Sequence, residues 1–225
     1  MTFRSALFVF TLIFASTVHA KSVENSSKKF FNQKNISEWH SQIKSRELTF
    51  AILLSPELGN TVRIQINQDE LTFNAFATFD DESKPLIIVN QGLLNHSSMT
   101  KPLLDLFLCH ELGHLSGGEP KLIRRNGKVS WSSVEGQADY YATYICMDRL
   151  GYDEKTILSE SLNFTNLIAQ LKGTSIQPSL RTPDQHRVDR VLQSHPNPQC
   201  RLDTLVAGLN KSPRPLCWFI FKEVN

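Results

Sequence analysis

The sequence has little net charge and, beyond its N-terminus, no long apolar run. Its 225 residues carry 24 lysine and arginine residues against 22 aspartate and glutamate residues, a formal net charge of +2. This near balance gives no electrostatic case for nucleic acid or an anionic membrane surface, so no nucleic-acid partner is expected. After residue 20 no apolar stretch approaches the roughly 20 residues of a membrane-spanning helix, so no transmembrane anchor is expected in the processed chain.

The N-terminus differs from the rest of the chain. Arg4 is followed by the apolar run ALFVFTLIFAST at residues 6–17, and small residues precede Lys21. This pattern is typical of a secretory signal peptide over residues 1–20, cleaved after Ala20. The alternative is an uncleaved membrane anchor, but the run is short for spanning a bilayer. We therefore expect an exported protein, periplasmic or secreted.

Hydrophobic periodicity predicts strands first and helices later in the chain. Residues 21–45 are polar and are predicted to form an N-terminal segment outside the main domain. The predicted strands lie at 62–66, 71–79 and 86–89, and the predicted helices at 100–117, 132–151, 153–173 and 182–195. Strands followed by helices favour an α+β fold, here over residues 46–225.

Metal-binding side chains are concentrated late in the first predicted helix. His110-Glu111-Leu112-Gly113-His114 is an HExxH pattern. Histidines four residues apart share a helix face and can bind one ion, and Glu111 can reach a water on that ion. The alternative is an ordinary helix with two hydrogen-bonded histidines. This helix is apolar, however, and burying His110, Glu111 and His114 in it without a metal would be costly.

The next predicted helix offers a third ligand. Zinc with three protein ligands keeps its fourth position open for water. In Glu135-Gly136-Gln137-Ala138-Asp139, Glu135 is predicted to bind the ion, and Asp139 shares its face and can orient His110 by a hydrogen bond. The alternative for Glu135 is an ordinary acid at a helix start, or a capping box with Ser132. The two patterns together predict one Zn²⁺ per chain, held by His110, His114 and Glu135.

These residues resemble the M48 family of zinc metallopeptidases, within the zincins that use a glutamate ligand. The resemblance runs from about residue 74 to about residue 201, most of the chain. Besides the two helices, it covers Asn74-Ala75-Phe76-Ala77, the strand Ile88-Val89-Asn90 before Gly92-Leu93-Leu94, and His195-Pro196 with Arg201. The chain departs from the family in lacking a Pro-Gly-Gly turn after residue 77. It also lacks the membrane helices or helical repeats of some relatives.

The resemblance implies a zincin-like fold, with a small N-terminal β-sheet whose edge strand packs on the active-site helix. It implies a zinc metalloendopeptidase that hydrolyses extracytoplasmic proteins, with a peptide or unfolded protein as substrate. Glu111 would be the general base, and His195 would donate a hydrogen bond to the developing oxyanion. Arg201 could pair with active-site carboxylates such as Asp139. The alternatives are a helix-terminal histidine before proline for His195 and a solvated side chain for Arg201. The strand at 86–90 would bind an extended peptide at the sheet edge. The substrate-binding residues implied are Asn74, Ala75, Ile88, Val89 and Asn90.

Two other functions use the same residues. A non-catalytic protein with this fold could bind unfolded chains, although binding a metal does not require Glu111. A zinc hydrolase of cell-wall peptides would have the same site chemistry, and the sequence does not exclude it.

Cysteine is scarce, with four residues in the chain, and an oxidising compartment favours their pairing. Sequence alone leaves three connectivities open. We predict one bridge between Cys200 and Cys217, which are close in sequence. The second would join Cys109 to Cys146 and lock the two metal-binding helices together. On an ideal helix Cys146 lies about 10 Å beyond the level of the metal site, so two buried free thiols are the alternative.

Overall fold

Strands precede most helices in the fold, as a computed structural model of the chain shows. The structure describes residues 36–53, 58–59 and 61–220. The predicted signal peptide lies outside these residues. Among them, no helix combines the length and the apolar character needed to cross a membrane. The helices and strands confirm the predicted α+β class.

The polar N-terminal segment contains a helix that the sequence analysis missed. Helix α1 spans Ile36–Leu53 and therefore begins before the predicted domain boundary at residue 46. Trp39, Ile43 and Phe50 are buried in the main core. Their spacing of four and seven residues places them on one helical face. Because polar residues surround them, the average composition of the segment concealed this face.

Three strands form the main sheet. They are β1 (Arg63–Asn67), β2 (Ala75–Phe79) and β3 (Pro85–Asn90). Their order is β1-β3-β2, with β3 parallel to β1 and antiparallel to β2. The predicted strand at 86–90 is therefore central, and assigning it to the sheet edge was wrong. Its continuous apolar sequence is typical of a strand buried on both faces, and Ile87 and Val89 are fully buried.

The helix with the HExxH pattern follows the sheet. A short helix α2 (Gln91–Leu94) leads to α3 (Lys101–Ser116). The Thr100 hydroxyl accepts a hydrogen bond from the backbone N–H of Leu103, and Pro102 lies in the first turn. A hairpin that the sequence analysis missed comes next, formed by β4 (Lys121–Ile123) and β5 (Val129–Ser133).

The predicted second helix begins later than expected. Ser132 and Ser133 end β5, and α4 begins at Glu135. The helical segments after the hairpin are α4 (Glu135–Tyr141), a π-helical turn (Ala142–Cys146), α5 (Met147–Arg149) and α6 (Glu154–Leu171).

The predicted helix at 182–195 does not form; the last helix is α7 (Pro198–Leu209). Backbone N–H groups of Val188 and Leu192 donate instead to the carbonyl oxygens of Leu216 and Trp218 in the C-terminal segment. Tertiary hydrogen bonds therefore replace the helical ones in this stretch and place residues 188–192 beside residues 216–218.

Both predicted disulfides are present. Cys109 is bonded to Cys146 and Cys200 to Cys217, with Cα–Cα distances of 5.6 and 5.9 Å. The backbone departs from α-helical geometry in the π-helical turn that ends at Cys146, and an ideal-helix estimate of its position does not include that departure. The first bridge joins α3 to the helical segment that follows α4.

A buried carboxylate ties α1 to the middle of α3. Asp105 is fully buried and accepts hydrogen bonds from Arg46 Nε and Nη2 at 2.9 and 2.6 Å. The hydroxyl of Tyr152 and the amide of Gln42 donate to it at 2.6 and 3.0 Å. The neighbouring carboxylate raises the pKa of Arg46, against the opposing effect of burial.

We expect Asp105→Ala to lower the free energy of unfolding by about 3–5 kcal/mol, because it leaves the Arg46 charge partly buried without its partner. Urea denaturation should show a lower midpoint with an unchanged slope. Glu82→Gln removes a partner from an exposed ion pair with Lys84 and should leave the midpoint unchanged. An equal midpoint for Asp105→Ala and wild type would show that this network contributes little.

Candidate metal centre

The HExxH helix and the helix after the hairpin pack at close range. A Cβ on Gly113 would lie 2.7–2.8 Å from backbone atoms of Ala138, so only glycine allows this approach. The contact sets Glu135 and Asp139 of α4 beside the histidines of α3. The glycine within HExxH thus determines how closely the two helices approach each other.

Three side chains of α3 could hold a metal ion. Ligand atoms of His110, Glu111 and His114 all lie within 4.8 Å of one another, and all three residues are buried. The carboxylate of Glu135 lies against both rings. One of its oxygens is 3.3 Å from Nε2 of His110, and the other is 3.7 Å from Nε2 of His114.

The 3.3 Å separation fits two ligand atoms of one zinc ion, and the 3.7 Å separation lies slightly above the expected range. Zinc bonds to nitrogen and oxygen are about 2.0–2.2 Å long, so neighbouring ligand atoms in a tetrahedral site lie about 3.3–3.6 Å apart. The Glu135 oxygen nearest His110 is buried and makes no hydrogen bond among the described residues. A buried carboxylate oxygen without a donor is costly, and a bound cation would remove that cost.

The other ring nitrogen of each histidine is held by a hydrogen bond. His110 Nδ1 donates to the carboxylate of Asp139 at 2.8 Å, and His114 Nδ1 donates to the carbonyl oxygen of Ser133 at 2.9 Å. With Nδ1 protonated in this way, each ring in its neutral form would turn the lone pair of Nε2 toward Glu135. Acceptors then face acceptors, an arrangement that a cation between them stabilises.

Asp139 is itself fixed by Arg201. The guanidinium group donates two hydrogen bonds to the two carboxylate oxygens, at 2.7 and 2.6 Å, and both residues are buried. The structure thus brings together the two residues that the resemblance paired. A bidentate contact of this kind fixes the carboxylate plane and so the ring of His110.

The carboxylates create a negative potential at the histidines. Burial lowers the pKa of His110, but Asp139 and Glu135 outweigh burial and raise the pKa to about 10. Burial has the opposite effect on Glu135 and raises its pKa. His114 and the other neighbouring histidines outweigh burial and hold the pKa of Glu135 well below the usual range. A potential that favours an added proton also favours a divalent cation.

Glu111 is placed beside the ion site and the sheet. Burial raises its pKa, against the opposing effects of both histidines and of a backbone hydrogen bond from Ala77 in β2. A buried carboxyl group with a raised pKa is suited to exchanging protons near neutral pH.

His195 reaches the same site from the irregular segment before α7. Its Nε2 lies 3.2 Å from the Glu135 carboxylate, and its side chain is 31% exposed. Burial lowers the pKa of His195 to about 4, and the positive charges of Arg201 and Lys172 act in the same direction. The ring is therefore neutral at pH 7 and can donate one hydrogen bond.

The residues predicted to bind substrate divide between two positions. Asn74 and Ala75 lie at the outer strand β2, whereas Ile88, Val89 and Asn90 belong to the central strand β3. Asn90 is buried, and its side-chain amide donates to the hydroxyl of Thr72 at 2.8 Å. An extended peptide cannot pair with a strand that already has neighbours on both sides, so β3 is excluded as the docking strand.

Two contacts of the site were missed at the level of sequence. The carbonyl oxygen of Ser133 lies 2.9 Å from His114 Nδ1, and the hydroxyl of Ser132 lies 3.2 Å from it. Both residues belong to β5. A backbone carbonyl leaves no sequence signal. The alternating sequence Val129–Ser133 could have suggested a strand, but the helix start signals of the two serines concealed it.

Comparison with known proteins adds no family assignment. No family model, curated protein sequence or solved structure matches this chain. The described residues themselves show a buried group that could bind a metal ion, surrounded by hydrogen-bonded carboxylates.

Proposed function

We propose that the protein is an exported zinc metalloendopeptidase of the M48 type. One observation carries the proposal: two histidines and Glu135 converge on a single point, while a further buried carboxylate, Glu111, stands beside them and touches the sheet edge at Ala77. Two imidazoles and one carboxylate are a ligand set that suits catalytic zinc. The proposed ligands are His110, His114 and Glu135.

A zinc ion held there would polarise the scissile carbonyl group and acidify a water. Glu111 would accept a proton from the attacking water and deliver it to the departing amine. Burial raises the pKa of Glu111, which favours holding the proton between the two transfers. His195, neutral and aimed at the same point, donates a hydrogen bond to the oxygen that becomes negative. Asp139 and Arg201 hold His110 in its tautomer and orientation.

The two disulfides support export, because such bonds persist in oxidising compartments. Together with the predicted signal peptide, they favour a periplasmic or secreted location. The substrates would then be peptides or unfolded proteins outside the cytoplasm.

The proposal is tested by digesting a peptide library with the purified, disulfide-bonded chain. We expect internal cleavage that a chelator stops and that one equivalent of Zn²⁺ restores. Peptide binding without any cleavage would favour a non-catalytic binder, and cleavage confined to cross-linked cell-wall peptides would favour a cell-wall hydrolase. Either result would overturn the endopeptidase assignment.

His195→Ala should lower kcat by about 10²-fold or more and change KM much less, since an oxyanion donor acts mainly in the transition state. His186→Ala, an exposed histidine in the same irregular segment, is the matched control and should match wild type. An unchanged kcat in His195→Ala would remove this residue from the mechanism.

A further inference from the structure

Within the part of the chain that the structure describes, the outer strand β2 pairs with a strand on one side only, and on its other side Ala77 hydrogen-bonds the Glu111 carboxylate of the candidate metal centre. The backbone N–H of Asn90 donates to the carbonyl oxygen of Asn74, and that of Asp80 donates to the carbonyl oxygen of Lys84. Hydrogen-bonded pairs alternate along an antiparallel ladder, so the even-numbered residues of β2 bond to β3. The backbone groups of Ala75, Ala77 and Phe79 therefore point away from the sheet.

The hairpin after α3 places an aromatic ring at one end of this free edge. Trp131 of β5 packs edge-to-face on Phe79, with ring centroids 5.0 Å apart. The next residues along β5, Ser132 and Ser133, contact His114. Trp131 is thus held both to the end of β2 and to the strand that supports a proposed metal ligand. It remains 37% exposed.

Distances along β2 locate Trp131 relative to the chemistry. Ala77 contacts Glu111, and Phe79 lies two residues further, about 7 Å away in a strand. A peptide added to the free edge of β2 would have its scissile bond near Ala77. One of its side chains two or three residues away would then meet the exposed part of the Trp131 ring.

We propose that Trp131 and Phe79 form an aromatic wall that selects a large apolar side chain of the substrate, N-terminal to the cleaved bond. Antiparallel addition, the commoner strand pairing, directs the N-terminal part of the peptide toward Phe79. The inference rests on the proposed endopeptidase function and specifies its substrate class.

The test compares four zinc-loaded proteins: wild type, Trp131→Ala, Trp131→Phe and Val129→Ala. Each is assayed on four peptides that differ at one position, two or three residues before the cleaved bond. That position is leucine, phenylalanine, alanine or aspartate. We expect Trp131→Ala to lower kcat/KM for the apolar peptides by about 10–100-fold, mainly through KM, and to change the alanine peptide little. Trp131→Phe should keep most of the preference. Val129→Ala, the matched control without the contact to Phe79, should resemble wild type.

Equal kcat/KM values for all four peptides in wild type would overturn the wall, and so would a preference confined to residues after the cleaved bond. Binding of labelled, uncleaved peptides to Glu111→Gln, followed by fluorescence anisotropy, separates this failure from failure of the proposed function. Tighter binding of the apolar peptides by Glu111→Gln supports the wall if the Glu111→Gln, Trp131→Ala double variant loses this preference. That result holds even if no peptide is hydrolysed. Binding without preference overturns it.

Discussion

Glu111→Gln should abolish peptide hydrolysis while leaving the fold and the bound zinc in place. The amide has nearly the same shape as the carboxylate but cannot accept a proton, so kcat should fall by about 10²- to 10⁴-fold. Because Glu135 and the two histidines supply the proposed ligands, the zinc content should stay at one per chain. Single-turnover assays on a cleaved library peptide, with metal analysis on the same sample, provide the measurement.

The matched control is Glu154→Gln, an exposed acid in the first turn of α6 that lies outside the site. It should hydrolyse the peptide at the wild-type rate. Retained turnover in Glu111→Gln, after contaminating peptidases are excluded by a second purification, would show that another group accepts the proton.

The second large effect concerns the metal. His114→Ala should lose zinc, because it removes one of three proposed ligands and leaves the Glu135 carboxylate with one histidine. Asp139→Asn keeps all three proposed ligands but disturbs the hydrogen bond to His110 and the ion pair with Arg201. It should weaken zinc binding by about 10–100-fold, and losing a ligand should cost more than that. Competition with a chromogenic chelator measures both affinities.

Thermal unfolding gives a readout independent of activity. Zinc that binds only the folded chain raises Tm, so a chelator should lower Tm of wild type and have no effect on His114→Ala. His186→Ala should behave as wild type. Full zinc occupancy in His114→Ala would show that the ion is bound elsewhere or without this ligand.

The parts of the site that follow helical periodicity were predictable from sequence. His110 and His114 share a face because they are four residues apart, and the same spacing joins Glu135 to Asp139. The burial of these groups and their contacts with each other, at 2.8–3.7 Å, follow from the packing of α3 on α4. That packing depends on the absence of a Cβ at Gly113, which the sequence shows but does not explain.

The order of strands was not predictable in the same way. The apolar run at 86–89 predicts a strand, but it does not say whether neighbours occupy one side or both. The structure places β3 between β1 and β2 and so leaves β1 and β2, not β3, as the outer strands of this sheet. Strand order depends on long-range pairing, which local periodicity does not encode.

The sequence by itself determined the α+β class and the clustering of ligand-type residues, because backbone periodicity and residue chemistry act over a few neighbouring positions. Tertiary structure alone decided which strands lie at the sheet edges and that Ser132 and Ser133 belong to a strand supporting His114. It also decided that residues 182–195 form no helix, with Val188 and Leu192 hydrogen-bonded to Leu216 and Trp218 instead. These outcomes come from contacts between residues far apart in the chain, whose free energies outweigh local propensity.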